Sequence, residues 1–277
     1  MKTYKASLII SIYDNVNFLK CVLDSLKYQT EQNFEIIISE DAEHKIVRDF
    51  VQNYPFHQDF QHLTQPDTGW QKNQALNNAI RAAKADWLIF IDGDCVLHPR
   101  FVEFHVELAE PKAILAGKRV KLNTELSDIL LKNPSEVLTI AKKLGKNFFG
   151  KRNGIKFIEE GFFVNPRNLL GFIPRMRKMY QLKGCNMSFS KEAAFAINGF
   201  DEDYVLPAVG EDADLNWRFR AAGYFLKSVR NLAVQYHLYH KESWNDQSVN
   251  ISLMNEKRGK GIFFTLNGLK KDPVCFQ

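Results

Sequence analysis

No stretch of this 277-residue chain approaches the roughly 18 consecutive apolar residues that a membrane helix needs. The longest candidates, Trp87 to Ile91 and Ile262 to Leu266, are strand-sized. The four cysteines (Cys21, Cys95, Cys185, Cys275) show no CxxC or CxxxC spacing, which argues against a zinc knot and a disulfide framework. Met1 to Tyr13 has two lysines and a short apolar stretch, but no small-residue cleavage site precedes Asp14. That segment reads as a strand and not as a leader, so a reducing, cytoplasmic setting is expected. Internal repeats and low-complexity tracts are missing too. What is plentiful is apolar bulk. With 45% hydrophobic residues, 22 Phe, 9 Tyr and 4 Trp, the chain is excluded from the disordered class and is long enough for a sizeable core. Charge is uneven: the net +5 hides a segment, Lys142 to Lys183, with a local +9, against −4 for the rest.

The first half alternates. Ala6 to Tyr13 (ASLIISIY) reads as a buried strand, and Asn17 to Gln29 as a helix with Asn15 or Asn17 as N-cap. Phe34 to Ile38 is a second buried strand, followed by Ser39, Glu40 and Asp41. Ile46 to Tyr54 reads as a helix, Phe60 to Thr64 as a short strand, and Trp70 to Lys84 as a helix after the Gly69 turn. Trp87 to Ile91 (WLIFI) is a third strong strand, ending in Asp92, Gly93 and Asp94. This order predicts a mainly parallel sheet with helices on both faces. Ligands in such sheets sit at the carboxyl ends of the strands, and here those ends carry Asp14, Glu40/Asp41 and Asp92/Asp94. Residues 118–183 are less regular. A compact unit resumes with a strand at Gly184 to Ser190, a helix at Lys191 to Ile197, a helix at Asp212 to Ala222 and a strand at Phe225 to Val229.

Several constellations stand out, each with a plain alternative. Asp92-Gly93-Asp94 is an acidic turn by composition, but after a buried strand its two carboxylates can turn toward one oxygen-loving cation and its phosphate ligands. Glu211, Asp212 and Asp214 open a helix, where acids suit the macrodipole and Asp212 can be a cap; a carboxylate held there can also be a general base. His237 and His240 lie three apart, as surface histidines or as converging metal ligands. Asn73 and Asn77 share a helix face with Lys72 nearby. The basic block carries seven aromatics (Phe148, Phe149, Phe157, Phe162, Phe163, Phe172, Tyr180), which argues that it touches something apolar.

Together these pieces form a pattern. SLIISIY, EIIISED, PDTGW and AIRAAKADWLIFIDGD resemble the nucleotide-diphosphosugar half of family-2 glycosyltransferases, which have the GT-A fold. LKGCNMSFSKEAAFAINGFDEDY and GEDADLNWRFRAAGY resemble the acceptor-side motif of galactosyltransferase-type C-terminal domains. The resemblance spans roughly residues 6–240, in order. It implies one GT-A domain over 1–277: a nucleotide-sugar half at 1–117, a basic aromatic insert at 118–182, an acceptor and catalytic half at 183–240, and a tail at 241–277.

The resemblance also implies a reaction, the inverting transfer of a hexose from a nucleotide diphosphosugar to a glycan or lipid-linked hydroxyl, in a bacterial surface-polysaccharide type of role. Asp41 matches the acid at the nucleobase, and a uracil N3–H suits it. Asp92 matches the acid near ribose and phosphate, with Tyr13, Asp14, Lys72, Asn77 and Gly93 completing the donor set. Asp94 matches the acid that binds Mn²⁺ or Mg²⁺, with His240, His237 and Asp92 as further ligands. Asp212 matches the base, with Glu211 beside it, and Gly184, Cys185 and Asn186 lie on the acceptor side. The sequence departs from the family at several points. Glu40-Asp41 replaces a paired Asp, and Ala42 a common Gly. Leu76 stands where an Arg is expected, leaving Lys72 the phosphate role, and Ala208-Val209 replace an aromatic before Gly210. No QxxRW segment is present, which disfavours a processive polymerase. A sugar-nucleotide nucleotidyltransferase is disfavoured because SIYDNVN lacks Gly and Arg, and an inactive glycan-binding relative because Asp94, Glu211 and Asp212 are intact. Nucleic acid is not expected as a partner, since acids crowd the strand ends. The basic block is expected to be a mobile flap, either docking at the inner face of an anionic membrane or ordering over bound donor with its Lys and Arg at the diphosphate.

Overall fold

Strand and helix alternate from the start: β1 (Ala6–Ile12), α1 (Val16–Leu26), β2 (Phe34–Glu40), α2 (Lys45–Asn53), β3 (Phe60–Leu63), α3 (Lys72–Ala82) and β4 (Trp87–Asp92). This computed structural model describes residues 2–148, 150, 153–207, 209–241 and 246–271. Phe149, Lys151, Arg152, Ala208 and Cys275 lie outside them. The middle of the chain forms β5 (Cys95–Leu97), α4 (Phe101–Glu107), β6 (Ala113–Ala116), β7 (Val120–Lys121), α5 (Thr124–Lys132), α6 (Ile140–Phe148) and α7 (Phe172–Met176). It closes with β8 (Met187–Ser190), α8 (Lys191–Ala196), α9 (Ala213–Ala221), β9 (Phe225–Ser228), β10 (Gln235–His237) and α10 (Ser248–Gly259).

Seven strands make one sheet in the order β3-β2-β1-β4-β8-β6-β9. The run β3-β2-β1-β4 is parallel throughout, β8 is antiparallel to both neighbours, and β9 is parallel to β6. Both faces are covered, which is why β1, β2 and β4 read as continuous apolar runs. Leu8 and Ile10 of β1 pack with Leu19, Val22 and Leu23 of α1, whereas Ile9 packs with Leu76, Ala79 and Ile80 of α3. Each such side chain contributes roughly 1.5–3 kcal/mol on burial. Asn15, not Asn17, caps α1, accepting the Phe18 N–H at 3.1 Å.

Two departures from the sequence reading bear on the site. The expected strand from Gly184 starts only at Met187, because residues 183–186 form a turn closed by Asn186 N donating to Lys183 O at 2.9 Å. A second sheet has the order β5-β10-β7. The basic block is tied into the core: Leu144, Ile155 and Ile158 pack in the same cluster as Leu8. Within it Glu160 is buried and held by Arg177 and Arg230.

Candidate active site

β4 delivers the acidic turn. Gly93 N donates to Ser11 O at 2.7 Å, and a Cβ there would stand 2.9 Å from that oxygen, so the close crossing needs glycine. Asp92 is held from two sides, by Lys72 Nζ at 2.9 Å and by Arg119 Nη1 at 3.0 Å. Asp94 turns the other way. Its Oδ2 lies 3.2 Å from both His237 Nε2 and His240 Nε2, and its Oδ1 accepts from Cys95 Sγ at 3.2 Å. β10 ends at His237, and Leu238 N then bonds Asp94 O at 2.9 Å, so the chain leaves the strand and the two imidazoles converge. Burial works against the ionised Asp94, but the two imidazoles outweigh it and hold the carboxyl well below the usual range. In return Asp94 raises the pKa of His240.

One carboxylate oxygen and two imidazole nitrogens within 4.8 Å of one another fit a divalent cation such as Mn²⁺. Asp92, Asp94 and Cys95 form a second such group, although both Asp92 oxygens already face cations.

Above this turn lies a cavity of about 590 Å³. Its wall includes Tyr13, Asp14, Asp41, Lys72, Asp92, Gly93, Asp94 and His240. Asp41 Oδ1 accepts from Gln65 Nε2 at 2.7 Å and Oδ2 from Gln71 N at 2.9 Å. Burial pushes its pKa up, with those two donors opposing. Glu40 is buried away from the cavity, where it accepts from His44 N and His62 Nε2. Tyr13 is half-exposed and donates to Asp67 at 2.9 Å. Lys72 also pairs with Glu211 Oε2 at 2.6 Å, so one ammonium joins Asp92 to Glu211. Burial alone would lower its pKa, but Asp92 and Glu211 outweigh that and keep it charged.

Across Asp92 a second cavity of about 350 Å³ opens, lined by Lys118, Arg119, Lys121, Phe157, Lys183, Gly184, Cys185, Glu211 and Asp212. Asp212 caps α9, its Oδ1 accepting Ala213 N at 2.7 Å, while Lys183 Nζ lies 3.7 Å from Oδ2. Burial raises the Asp212 pKa and Lys183 opposes it; burial likewise raises Glu211 against Lys72. Asp214 serves structure instead. It is fully buried, 2.5 Å from Arg218 Nε, and it accepts from Tyr204 and Trp217 at 3.0 Å.

Two expected site residues lie elsewhere. Asn77 is buried on the far side of α3, bonding Phe200 O at 2.8 Å, Glu202 Oε1 at 2.9 Å and Phe200 N at 2.9 Å. Asn186 is equally buried, donating to Lys118 O and Ala233 O at 3.0 and 3.1 Å and accepting from His105 at 3.1 Å. Both amides are occupied inside the protein and steady the turns that carry the site. The sequence reading missed Arg119, Lys118, Lys121 and Phe157 as site residues. The first two had a signal, since they follow the buried strand β6 at its carboxyl end.

The Glycosyl transferase family 2 pattern matches residues 7–171, more than half of the chain, and the pattern described as N-terminal domain of galactosyltransferase matches residues 174–241. The chain belongs to glycosyltransferase family 2, and its fold is GT-A. Among curated relatives, chondroitin synthase of Escherichia coli is 26% identical over 239 residues, 83% of this chain and 34% of the relative. This chain therefore spans about a third of that relative's length. TarS 1–349 of S. aureus, solved with UDP-GlcNAc, shares the fold with a TM-score of 0.57 at 14% identity, over 86% of this chain and 59% of that one. A Pyrobaculum calidifontis mannosyltransferase solved with GDP-Man and Mn²⁺ gives a TM-score of 0.55 at 15% identity, over 87% and 59%.

Proposed function

We propose that this protein transfers a hexose from a UDP-sugar to a saccharide hydroxyl, with inversion at the anomeric carbon. One observation carries this reading. Asp92 lines both cavities, so the large one, with Asp41 and Asp94, adjoins the small one, which Asp212 lines. A donor in the first presents its anomeric carbon toward an acceptor in the second. Asp212, unprotonated, takes the proton of the acceptor hydroxyl; that oxygen bonds to the anomeric carbon as the bond to the diphosphate breaks, and the electron pair leaves with the diphosphate. Attack opposite the leaving group inverts the centre. Lys72 keeps Asp92 and Glu211 in place. Asp94, His237 and His240 would hold a divalent cation, Mn²⁺ or Mg²⁺, which when bound offsets the charge of the diphosphate. Asp41 accepts the uracil N3–H.

The glycosyl transfer named for the relatives and the nucleotide sugars bound in the TarS and mannosyltransferase structures support this reading. A glycan or lipid-linked acceptor in surface-polysaccharide synthesis fits the same chemistry. A cytoplasmic protein at an anionic membrane is part of the proposal too. Its motive is α7 and its flanks, where Leu169 (92%), Met176 (72%) and Tyr180 (72%) are exposed beside Arg175 and Lys178. Among the described residues no helix is long and apolar enough to cross a membrane.

Thermal unfolding with nucleotide sugars and Mn²⁺ tests the donor reading, because a ligand of the folded state raises Tm by mass action. UDP-sugars with Mn²⁺ are expected to give the largest shift. A larger shift with GDP-sugars refutes the UDP assignment, and no shift with any nucleotide sugar refutes the transferase reading.

A further inference from the structure

A third cavity, of about 570 Å³, is walled by residues of α4, α7 and the edge strand β9. It shares no lining residue with the two cavities of the site. Its apolar walls come from both core clusters: Phe104, Leu108 and Leu232 from one, Met179 and Leu226 from the other. An apolar space of this size is in the range of small-molecule sites. Four basic residues stand around it, and two of them are answered inside the chain. Arg167 holds Glu107, the one carboxylate among the described lining residues, at 3.1 and 3.3 Å. Lys227 bonds Leu108 O at 3.1 Å and pairs with Glu110 at 3.3 Å. Arg175 and Lys178 are exposed and have no carboxylate partner among the described residues. Their neighbours behave otherwise, since Arg177 and Arg230 both bind the buried Glu160. Arg230 Nη1 also bonds Lys178 O at 3.4 Å, which pins the backbone between the two unanswered cations and the core. Apolar surface continues outward through Leu169, Met176 and Tyr180, and Tyr180 itself lines the cavity. A small polar anion would answer the charges and leave that surface bare; a lipid with an anionic head complements both.

We infer that this cavity binds a single lipid molecule with an anionic phosphate head. A chain enters between Phe104, Met179 and Leu226, and the phosphate lies against Arg175 and Lys178. Chain burial supplies affinity in proportion to apolar area, and the two cations select the negative head. This inference rests on the membrane part of the proposed function and turns surface docking into recognition of one lipid class; the transfer chemistry does not enter it.

The test titrates the full chain by calorimetry, below the micelle concentration, with dihexanoyl phosphatidylglycerol, dihexanoyl phosphatidylcholine and inorganic phosphate. The two lipids carry the same chains and differ in net charge. The anionic lipid is expected to bind on the order of tenfold tighter than the zwitterionic one, about what one charge-assisted contact supplies. That preference is expected to shrink as salt rises. The double variant Arg175→Gln, Lys178→Gln should remove it with Tm unchanged, because neither side chain has a partner to lose, and Arg175→Lys, Lys178→Arg should keep it. Leu226→Trp, on the half-buried edge strand, should narrow the cavity and weaken both lipids. Equal binding of the two lipids overturns the inference, and so does a preference that survives the double Gln variant. Inorganic phosphate or a short polyglutamate peptide binding as tightly as the anionic lipid overturns it too, because the cations would then serve any anion. Pelleting with anionic vesicles without binding of either monomeric lipid removes the cavity site and leaves the membrane reading standing. Binding of the monomeric anionic lipid by a protein that pellets with no vesicle sustains the cavity site and refutes membrane docking.

Discussion

The half proposed to bind the donor and the half proposed to bind the acceptor both present carboxylates at a cavity, but they hold them by different means. Asp41 and Asp92 sit at the ends of β2 and β4, strands locked by parallel ladders to β1 and buried on both faces. Asp212 and Glu211 stand where a loop enters α9, and the loops around them are pinned by single side-chain amides. Asn73 bonds Asp201 O at 2.7 Å, Asn77 grips residues 200–202, and Asn198 bonds Thr265 O at 2.7 Å. A ladder shares its load over many backbone bonds, whereas an amide clamp concentrates it in one residue. The donor half is therefore expected to tolerate point changes behind the site better than the acceptor half.

The largest effects come from the acids themselves. Asp94→Ala is expected to abolish turnover and the Mn²⁺-dependent part of nucleotide affinity; chelator-treated protein that transfers sugar at full rate contradicts this. Asp212→Asn keeps a capping oxygen for Ala213 N, so folding should survive while kcat falls on the order of 100 to 10,000-fold. A base must be unprotonated, and burial raises Asp212 above the ordinary carboxylate value, so kcat is expected to drop on acidification at a pH above 3.8. The Asn variant should lose that acid limb, as a pH–rate profile of both proteins would show.

Next in size is the clamp. Asn77→Ala removes three hydrogen bonds and leaves Phe200 N buried without its acceptor. About 1–3 kcal/mol of stability should go, read from urea unfolding. Nucleotide binding should hold while acceptor turnover falls. The reverse pattern would place Asn77 in donor recognition after all.

What the sequence could show follows the same divide. β1, β2 and β4 are buried on both faces and so announced themselves as apolar runs, and their carboxyl ends pointed to Asp41, Asp92 and Asp94. β7 is Val120–Lys121 and β10 is Gln235–His237, too short for any period, so the convergence of His237 and His240 depended on where β10 stops. Asn77 and Asn186 are polar residues near motifs, and their type alone does not tell whether the amide faces a ligand or a neighbouring loop. Burial decides that, and burial here depends on contacts more than 60 residues away along the chain.

An effect of similar size sharpens the comparison through pH. His105 links the halves: its Nδ1 meets Ser188 Oγ at 2.8 Å, its Nε2 meets Asn186, and Trp87 Nε1 donates to the same Ser188 oxygen at 3.1 Å. Burial lowers its pKa from 6.5 to about 3, with the Asn186 bond opposing. Below pH 6.5 the unfolded chain protonates this ring and the folded chain does not, so stability falls as pH drops toward 3. The slope is roughly 1.4 kcal/mol per pH unit for this group. Urea midpoints at pH 7 and 4.5 measure it, and His105→Gln should flatten the difference.

The smallest expected effect concerns the surface that neither half uses. The basic block divides in the structure. Leu144 of α6 and the 3₁₀ turn Ile158–Gly161 pack inward, Phe162 and Phe163 lie against the core, and Lys143 pairs with Glu136 at 3.6 Å. The α7 end instead exposes Leu169, Met176 and Tyr180 next to Arg175 and Lys178. Apolar side chains with a cationic fringe suit the headgroup region, where each Lys or Arg contributes about 1 kcal/mol near an anionic surface. That supports reversible docking and not permanent insertion. Co-sedimentation with vesicles containing phosphatidylserine should therefore show binding at low salt that weakens as salt rises. Neutralising Arg175 and Lys178 should reduce it more than neutralising Lys142, Lys143 and Lys146, since the α7 end sets its charges beside the more exposed apolar side chains, Leu169, Met176 and Tyr180. Equal losses from the two sets would assign the contact to net charge alone, and no pelleting at low salt would remove the membrane from the account of this surface.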